Sequence, residues 1–361
     1  MTTTLDTANW WLPEPEPREV RYTVISVDDH VVEPPHLFEG RMPARLQDQA
    51  PHIVETPEGK QVWEFEGQRF TQSGTNALAG RTRETINIAP VRFDQMRRGC
   101  WDIEARIQDM DINGVWASLN FPSMITGFCG RVYSQAKDQE LGLAATRAWN
   151  DWLYEEWYLP HPDRIIPLGI TFLSDPAVGA EEIRRNAARG FVSVTLPERP
   201  HRLGFPSIFS GYWDPIIEAC VDTDTVISLH VGSSGMADYP TDSPNVQLGA
   251  TLFGQMSLSA CAEWVWSGYG IGWDIRPADV LRRNFWFCTI DDPSTIDTRH
   301  SIGIEHIMVE SDYPHGDSTW PDTQDVIAKY WGHLPLEELR LLTHVNASRL
   351  YRHPLPEVCR P

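Results

Sequence analysis

Lysine is scarce in this sequence of 361 residues, and its scarcity excludes several kinds of active site. Only Lys60, Lys137 and Lys329 occur. Schiff-base enzymes, pyridoxal-phosphate enzymes and metal pairs bridged by a carboxylated lysine all need a lysine in the site. The sequence around each of these lysines predicts a hairpin or a helix surface. We therefore expect none of those chemistries.

Paired cysteines and long apolar runs are also missing. None of the six cysteines lies within a CxxC spacing, and a chain of this size does not need disulfide bonds, so reduced thiols in the cytoplasm are expected. No apolar run reaches the length of a transmembrane helix. Residues 1–22 lack the basic-then-apolar order of a signal peptide, and we predict that they form a surface arm.

Positive charge is in deficit. Lysine and arginine total 30 against 50 aspartates and glutamates, which gives a formal net charge of −20. Such an acidic surface repels nucleic acids and anionic membranes, so we expect neither as a partner. Apolar residues make up 41% of the chain, which is enough for a packed core and excludes overall disorder.

Short β-branched runs alternate with helical patterns along the chain. Helices are predicted at 134–158 and at 176–189, where Asp175 and Pro176 suit a helix start and Gly190 a helix end. Alternation of this kind implies parallel strands joined by right-handed crossovers. The predicted strands cover residues 24–27, 115–119, 165–170, 191–196, 225–229, 284–288 and 306–309. The number of units favours a single-domain (β/α)8 TIM barrel, of class α/β, over residues 1–361.

A long insertion, residues 33–106, interrupts the first unit. Residues 57–60 have a turn composition and separate two apolar runs, which predicts a hairpin. Insertions that follow a barrel strand lie over the catalytic face. We therefore expect this one to cover the pocket as a lid.

Polar residues follow three of the predicted strands and define a candidate metal site. Asp28 and His30 end the first strand, His230 the fifth and Asp312 the last. Strand alternation points Asp28 and His30 to one face and Asp29 to the other. Each residue alone has an ordinary explanation, such as a turn aspartate or a core histidine. Together, at one rim of a barrel, two imidazoles and two carboxylates suit a divalent ion such as zinc or manganese.

Several stretches of the sequence resemble the amidohydrolase superfamily, and within it the aminocarboxymuconate-semialdehyde decarboxylase-like branch, amidohydrolase family 2. The resemblance covers most of the chain and is specific to the family, although not to a substrate. It is carried by SVDDHVVEPP, DRIIPLGITFLSDP, ISLHVGSS, RRNFWFCTIDDP, VESDYPHGDSTWP and HVNASRLYR.

This resemblance implies that Asp28, His30, His230 and Asp312 are the metal ligands. The acid-x-His pair resembles the members that decarboxylate aromatic acids without an organic cofactor. The fourth strand ends in Thr195 and Leu196 without a lysine, which favours one divalent ion over a bridged pair. The function predicted is therefore a metal-dependent, non-oxidative decarboxylase of a small aromatic or unsaturated carboxylic acid.

The sixth unit departs from the family pattern. If residues 249–267 form the fifth helix, only residues 269–283 remain for a strand, a helix and two loops, whereas a βα unit needs roughly 25–30 residues. Either this unit is genuinely shortened or stretches of it are missing from the sequence. The resemblance implies a histidine or an acid on the sixth strand, and neither occurs there.

Two other functions compete with decarboxylation. The same ligands can activate water, with Asp312 as general base, to cleave an amide, a lactone or a carbon–carbon bond. The shortened sixth unit also fits an inactive binding protein on the same fold.

Roles for further residues follow from these hypotheses. Asp312 is the predicted proton shuttle, and His315 is an acid–base candidate or an ordinary surface histidine. Candidates for the pocket wall and for binding an anionic group of the substrate are Trp320, Arg81, Arg83 and Arg92. We expect a homodimer, because the helices predicted at 134–158 and 249–267 carry more apolar surface than one core face needs.

Overall fold

The computed structural model of the protein describes residues 10–71, 76–86, 90–235 and 274–361. Within these ranges, parallel strands alternate with helices, as the sequence predicts. The strands are β1 Ile25–His30, β2 His52–Glu55, β3 Gln61–Phe65, β4 Gln68–Phe70, β5 Ala117–Phe121, β6 Ile165–Ile166, β7 Leu168–Gly169, β8 Ser193–Leu196, β9 Val226–Leu229, β10 Phe287–Thr289 and β11 Ile307–Val309.

The helices of the described ranges lie between and after these strands. They are α1 Ile103–Asn113, α2 Arg131–Ser134, α3 Gln139–Trp152, α4 Pro176–Ala187, α5 Asp214–Asp222, α6 Pro277–Asn284, α7 Pro293–Ile302, α8 Thr323–Tyr330, α9 Leu336–Arg340 and α10 Asn346–Tyr351. None of them is long and apolar enough to span a bilayer.

The parallel strands follow the order of a barrel but form separate sheets. One sheet has the order β1-β5-β6, a second β7-β8-β9, and a third pairs β10 with β11. Pro167, which has no N–H to donate, separates β6 from β7. Residues 236–273 separate β9 from β10 and lie outside the described ranges. The described strands therefore form a TIM-barrel-like arrangement that is not a closed ring.

Backbone hydrogen bonds bring the last strand beside the first. Just beyond β11, the Asp312 N–H donates to the Asp28 carbonyl over 3.0 Å, and the His30 N–H donates to the Tyr313 carbonyl over 2.7 Å. The sequence places these residues almost three hundred positions apart. The contact between β1 and the end of β11 brings the two predicted ligand segments to one rim.

The predicted hairpin of the insertion is confirmed and gains a third strand. Strands β2 and β3 pair antiparallel across residues 56–60, and β4 adds to β3. Another part of the insertion reaches the rim, because the N–H groups of Leu78 and Ala79 both donate to the Pro314 carbonyl. Pro314 follows Asp312 by two residues. The insertion thus contacts the loop that carries a predicted ligand.

The helix predicted at 134–158 is broken into three parts. The first part, α2, ends at Ser134, and Asp138 starts the second, because its carboxylate caps α3 by accepting from the N–H groups of Glu140 and Leu141. A π-helical turn, Leu153–Tyr158, follows α3. The apolar surface of this region is used internally, since Trp149, Trp152 and Trp157 are fully buried. It therefore gives no support to a dimer interface.

Other expectations fall on residues outside the described ranges. The helix predicted at 249–267 lies there, as does the beginning of the short sixth unit at 269–283. The homodimer stays a prediction.

The helix start predicted at Asp175 can be tested by substitution. The Asp175 carboxylate accepts from the N–H groups of Ala177 and Val178 at the start of α4. Asp175→Ala should therefore lower the free energy of unfolding by about 1 kcal/mol, measured by urea denaturation. Glu181→Ala, an exposed position on the same helix, is the control and should change it by less than about 0.5 kcal/mol. Equal effects of the two substitutions would contradict the capping role.

Candidate metal centre

The first two predicted ligands come from the end of β1. The pairing of β1 with β5 is irregular between Ser26 and Asp29, as in a β-bulge, which re-aims the side chains that follow. The Nε2 atom of His30 lies 3.4 Å from Asp28 Oδ1. Asp29 turns away to a separate set of partners, as alternation predicts.

The other two predicted ligands meet this pair. His230 follows β9, and its Nε2 atom lies 3.7 Å from Asp28 Oδ1. Asp312 follows β11, and its Oδ1 lies 3.5 Å from His30 Nε2. Asp312 has a left-handed backbone with φ of 57°, an unusual conformation for a residue other than glycine and one often found at functional sites. All four predicted ligands therefore gather around His30.

His315 joins Asp28, His30, His230 and Asp312, and these five residues are called the cluster below. The Nδ1 atom of His315 lies 2.9 Å from Asp312 Oδ1, and its ring stacks on that of His30 with centroids 3.9 Å apart. One ligand atom each from His30, Asp312 and His315 lies within 4.8 Å of the other two, and the same holds for Asp28, His30 and His230. His315 is therefore a member of the cluster and not a surface histidine.

The electrostatics of the cluster favour a bound cation. Burial, followed by the carboxylates of Asp28 and Asp317, raises the pKa of Asp312 to about 10. Burial also raises the pKa of Asp28. Burial lowers the pKa of His30 well below its usual value, so its imidazole is neutral at pH 7. Neutral imidazoles can bind a metal ion, whose charge would also stabilise the crowded carboxylates.

Unpaired polar atoms in the cluster give an independent test of metal binding. Asp28 Oδ1 and His30 Nε2 are buried and have no hydrogen-bond partner among the residues that the structure describes, although both face the same small region. Buried polar atoms are almost always paired, so two orphaned ligand atoms at one place are unusual. His230 is oriented for the same purpose, because its Nδ1 lies 2.6 Å from the Val231 carbonyl and Nε2 faces Asp28. The residues present therefore fit a divalent ion.

Asp29 lies behind the cluster in a buried hydrogen-bond network. Its carboxylate accepts from the hydroxyls of Ser26, Ser118 and Ser311 and from the N–H of Tyr313. These donors come from β1, from β5 and from the segment after β11. The carboxylate that points away from the ligands thus joins the elements that carry three of them.

Glu310 is a further acid that the sequence analysis did not assign. It precedes Asp312 by two residues, and its carboxylate groups with Asp28 and Cys288 within 4.8 Å. Burial and the charge of Asp28 raise its pKa well above the usual value. Its spacing of two residues from Asp312 could have predicted that both side chains point the same way, because alternate residues of a strand share a face.

Aromatic rings also border the cluster, and the sequence analysis missed them. The Phe128 ring lies parallel to the His230 imidazole, with centroids 5.4 Å apart and an interplanar angle of 1°. Phe121, at the end of β5, lies 5.9 Å from the His30 ring. The glycines on either side of Phe128 and Cys129, just after a predicted strand, were the feature that could have indicated a rim loop.

The predicted substrate-binding residues have other partners. Trp320 donates its indole N–H to the Asp109 carbonyl. Arg81 is buried with its guanidinium 4.0 Å from the Trp10 ring centroid. Arg92 pairs with Glu55 on the hairpin, and Arg83 is exposed. Contact between any of these side chains and a substrate stays a prediction.

The separate roles of Asp28 and Asp29 can be tested by a pair of isosteric substitutions. Asp28→Asn should weaken Mn²⁺ binding by roughly tenfold or more, because it replaces a charged ligand oxygen. Asp29→Asn should keep a full complement of metal but lower the melting temperature, because it disturbs only the serine network. Metal content and thermal unfolding measured on both proteins check this. Metal loss in Asp29→Asn alone would contradict the assignment of the two faces.

Solved structures with the same fold include several decarboxylases. An amidohydrolase from Mycobacterium avium subsp. paratuberculosis K-10 aligns with a TM-score of 0.70 and 18% identity over 92% of this chain and 100% of that chain. The 5-carboxyvanillate decarboxylase LigW from Sphingomonas paucimobilis aligns with a TM-score of 0.61 and 17% identity, with the same two coverages.

A third structure contains a metal ion. It is the dihydroxybenzoic acid decarboxylase from Polaromonas sp. JS666 with bound manganese and the inhibitor 2-nitroresorcinol. It aligns with a TM-score of 0.59 and 16% identity over 92% of this chain and 97% of that chain. At these identities the three likenesses show a shared fold. A search of curated proteins finds no match.

The family comparison is more specific. A family model with the description Amidohydrolase, that of amidohydrolase family 2, matches residues 36–353. The match covers most of the chain and confirms the resemblance carried by the sequence motifs. This protein therefore belongs to amidohydrolase family 2.

Proposed function

We propose that this protein is a metal-dependent, non-oxidative decarboxylase of a small aromatic or unsaturated carboxylic acid. The observation that carries the proposal is the position of Asp312. Its carboxyl group is mostly buried, lies in the ligand cluster and touches His315 Nδ1. Replacing a carboxylate by hydrogen needs an acid at that place, because the carbon that loses CO₂ must gain a proton.

Asp28, His30, His230 and Asp312 would hold the metal ion in this proposal. Two carboxylates and two imidazoles suit Mn²⁺ or Zn²⁺, and manganese is the ion bound in the decarboxylase of similar fold. When bound, the ion would supply a Lewis acid and a template for the substrate carboxylate and a neighbouring oxygen.

The proton transfer is assigned to the chain's own residues. The bond between the substrate carbon and its carboxylate breaks, and CO₂ leaves. The electron pair stays on the carbon, which takes the proton from the Asp312 carboxyl. His315, hydrogen-bonded to Asp312, orients that carboxyl, and after CO₂ has left it passes a proton from solvent water back to the Asp312 carboxylate. Phe121 and Phe128 provide an apolar border that suits a planar substrate.

The insertion and the barrel have roles in the same proposal. The hydrogen bonds from Leu78 and Ala79 to Pro314 support a position of residues 33–106 over the catalytic face. The order of the described strands, with the end of β11 beside β1, supports a barrel of eight units in one domain.

Hydrolysis is the second candidate, and the family description Amidohydrolase favours it. In that reaction the ionised Asp312 would accept a proton from a water molecule. The two functions need opposite protonation states of one carboxyl group, so the products distinguish them.

The proposal can be tested by product analysis on protein loaded with Mn²⁺. We expect about one ion per chain. A panel of hydroxylated benzoates and unsaturated carboxylates should include a compound that releases CO₂, detected by isotope-labelled carboxylate. A matched panel of amides and lactones should not react. New amine or alcohol without CO₂ would overturn decarboxylation in favour of hydrolysis, and no turnover by metal-loaded protein would favour a binding protein.

Substitution of Asp312 tests its role as the acid. With the reactive substrate, Asp312→Asn should lower kcat by a factor of roughly 10²–10⁴ and change KM far less, because an amide cannot deliver the proton. Metal content must be measured on the same sample, since Asp312 is also a proposed ligand. Wild-type turnover by a metal-loaded variant would remove Asp312 from both mechanisms.

A further inference from the structure

Phe128 has a strained backbone, and its ring contacts the histidines of the cluster. Its φ of 65° lies in the left-handed region, where residues other than glycine are uncommon. Such conformations persist only where the surrounding structure holds them, and they concentrate at functional sites. In this position the ring lies parallel to His230 and meets the His30 ring edge-on at 6.0 Å.

His230 meets the His30 ring edge-on at 4.7 Å and a tilted Phe121 ring at 5.1 Å, and Phe128 is the ring that lies parallel to its imidazole. His230 follows the last residue of β9, whose Leu229 is 52% exposed, and it is followed by Val231, which is 60% exposed. Within the described residues, its imidazole makes a hydrogen bond from Nδ1 to the carbonyl of Val231. This bond sets the tautomer but comes from the neighbouring residue, so it cannot hold the ring against rotation of the whole segment. The parallel Phe128 ring supplies a contact from a different segment, the loop between β5 and α2.

The loop that carries Phe128 is itself anchored by a buried acid. Glu33 is fully buried and accepts from both the N–H and the hydroxyl of Ser123, the residue that opens the loop. It also accepts from the indole N–H of Trp149 on α3. The Ser123 carbonyl in turn accepts from the Phe128 N–H over 3.2 Å. A chain of contacts therefore runs from Glu33 through Ser123 to Phe128 and His230.

The far side of the loop is held as well. The Thr195 hydroxyl at the end of β8 approaches the Phe128 carbonyl at 3.4 Å, and the Cys129 thiol approaches the Ser233 carbonyl at 3.7 Å. These contacts tie the loop to the end of β8 and to the segment that follows β9. They explain how a phenylalanine can be kept in a left-handed conformation.

We propose that Phe128 is a positioning residue that holds the His230 imidazole ready for metal binding, and that the buried Glu33 holds Phe128 in place through Ser123. The inference rests on the proposed assignment of His230 as a ligand. It does not depend on which reaction the site performs. Groups that orient a metal ligand typically contribute a factor of 10–100 to metal affinity.

The experiment compares the affinity of metal-free protein for Mn²⁺, with free Mn²⁺ counted by electron paramagnetic resonance. Phe128→Ala and Phe128→Gly both remove the ring, but glycine accepts the left-handed backbone and alanine does not. We expect the Mn²⁺ Kd to rise about tenfold in both, although Phe128→Gly should be the more stable protein. Phe128→Leu, which keeps apolar volume, should have a smaller effect.

Glu33 is tested by a conservative rescue. Glu33→Gln keeps an oxygen for the Ser123 and Trp149 N–H groups, and its amide can donate to the Ser123 hydroxyl, so its Mn²⁺ Kd should stay near that of wild type. Glu33→Ala leaves those donors unpaired and should weaken Mn²⁺ binding.

Phe205→Leu is the matched control for the Phe128 variants, because Phe205 is a partly buried ring that packs on Trp213, away from the cluster. It should leave the Kd unchanged.

Three results would overturn the inference in distinguishable ways. If His230→Ala loses Mn²⁺ while Phe128→Ala and Phe128→Gly bind it as wild type does, the positioning role fails and the ligand assignment stands. If His230→Ala keeps a full metal complement, the inference fails together with the ligand set of the proposed function. A Kd that follows melting temperature across all variants, Phe205→Leu included, would also overturn it.

Discussion

A buried carboxylate holds the first and last strands of the described chain together. Asp29 is 2% exposed and accepts from three serine hydroxyls and the Tyr313 N–H. Burying a carboxylate is costly unless hydrogen bonds replace its lost hydration, and here four donors oppose the burial that still raises the pKa of Asp29. Ser118 lies on β5 and Ser311 follows β11, so these bonds need both elements beside β1. Asp28, His30 and Asp312, which flank the Asp29 network, can meet only in that arrangement.

Arg106 completes the same constraint from α1. Its fully buried side chain donates to the carbonyls of Gly99 and His30, and its guanidinium lies 4.4 Å from the Tyr313 ring centroid. Its charge opposes the rise that burial causes in the pKa of Asp29. The hydrogen bonds of Arg106 go to carbonyl oxygens and not to a carboxylate. Its positive charge therefore acts on the Asp29 carboxylate through space and lowers the pKa that burial raises. One cation and one anion thus stabilise the framework behind the cluster without occupying a ligand position.

The grouping of the four proposed ligands could be predicted from the sequence because it depends on strand geometry. Asp28 and His30 lie at the end of β1, His230 and Asp312 lie within three residues after β9 and β11, and the order of parallel strands brings these ends to one rim. Phe128 could not be predicted in the same way, since its left-handed backbone depends on Ser123 and on a glutamate ninety positions earlier. Arginines of the insertion were equally uncertain, because any surface carboxylate, such as Glu55 for Arg92, can pair with them. Local pattern determines strands and their ends, whereas loop conformation depends on tertiary partners.

This difference has a consequence for how the site can vary. Asp28, His30 and Asp312 lie on segments held by backbone hydrogen bonds that also hold the fold, so changing their position would disturb the core. The aromatic border and the insertion are held at a few points, by the side chain of Glu33 with Ser123 and by backbone hydrogen bonds of residues 78–79 to Pro314. Those contacts can change without moving β1 or β11. A family of one fold can therefore keep the residues at its strand ends while its substrates change, so the loops must identify the substrate.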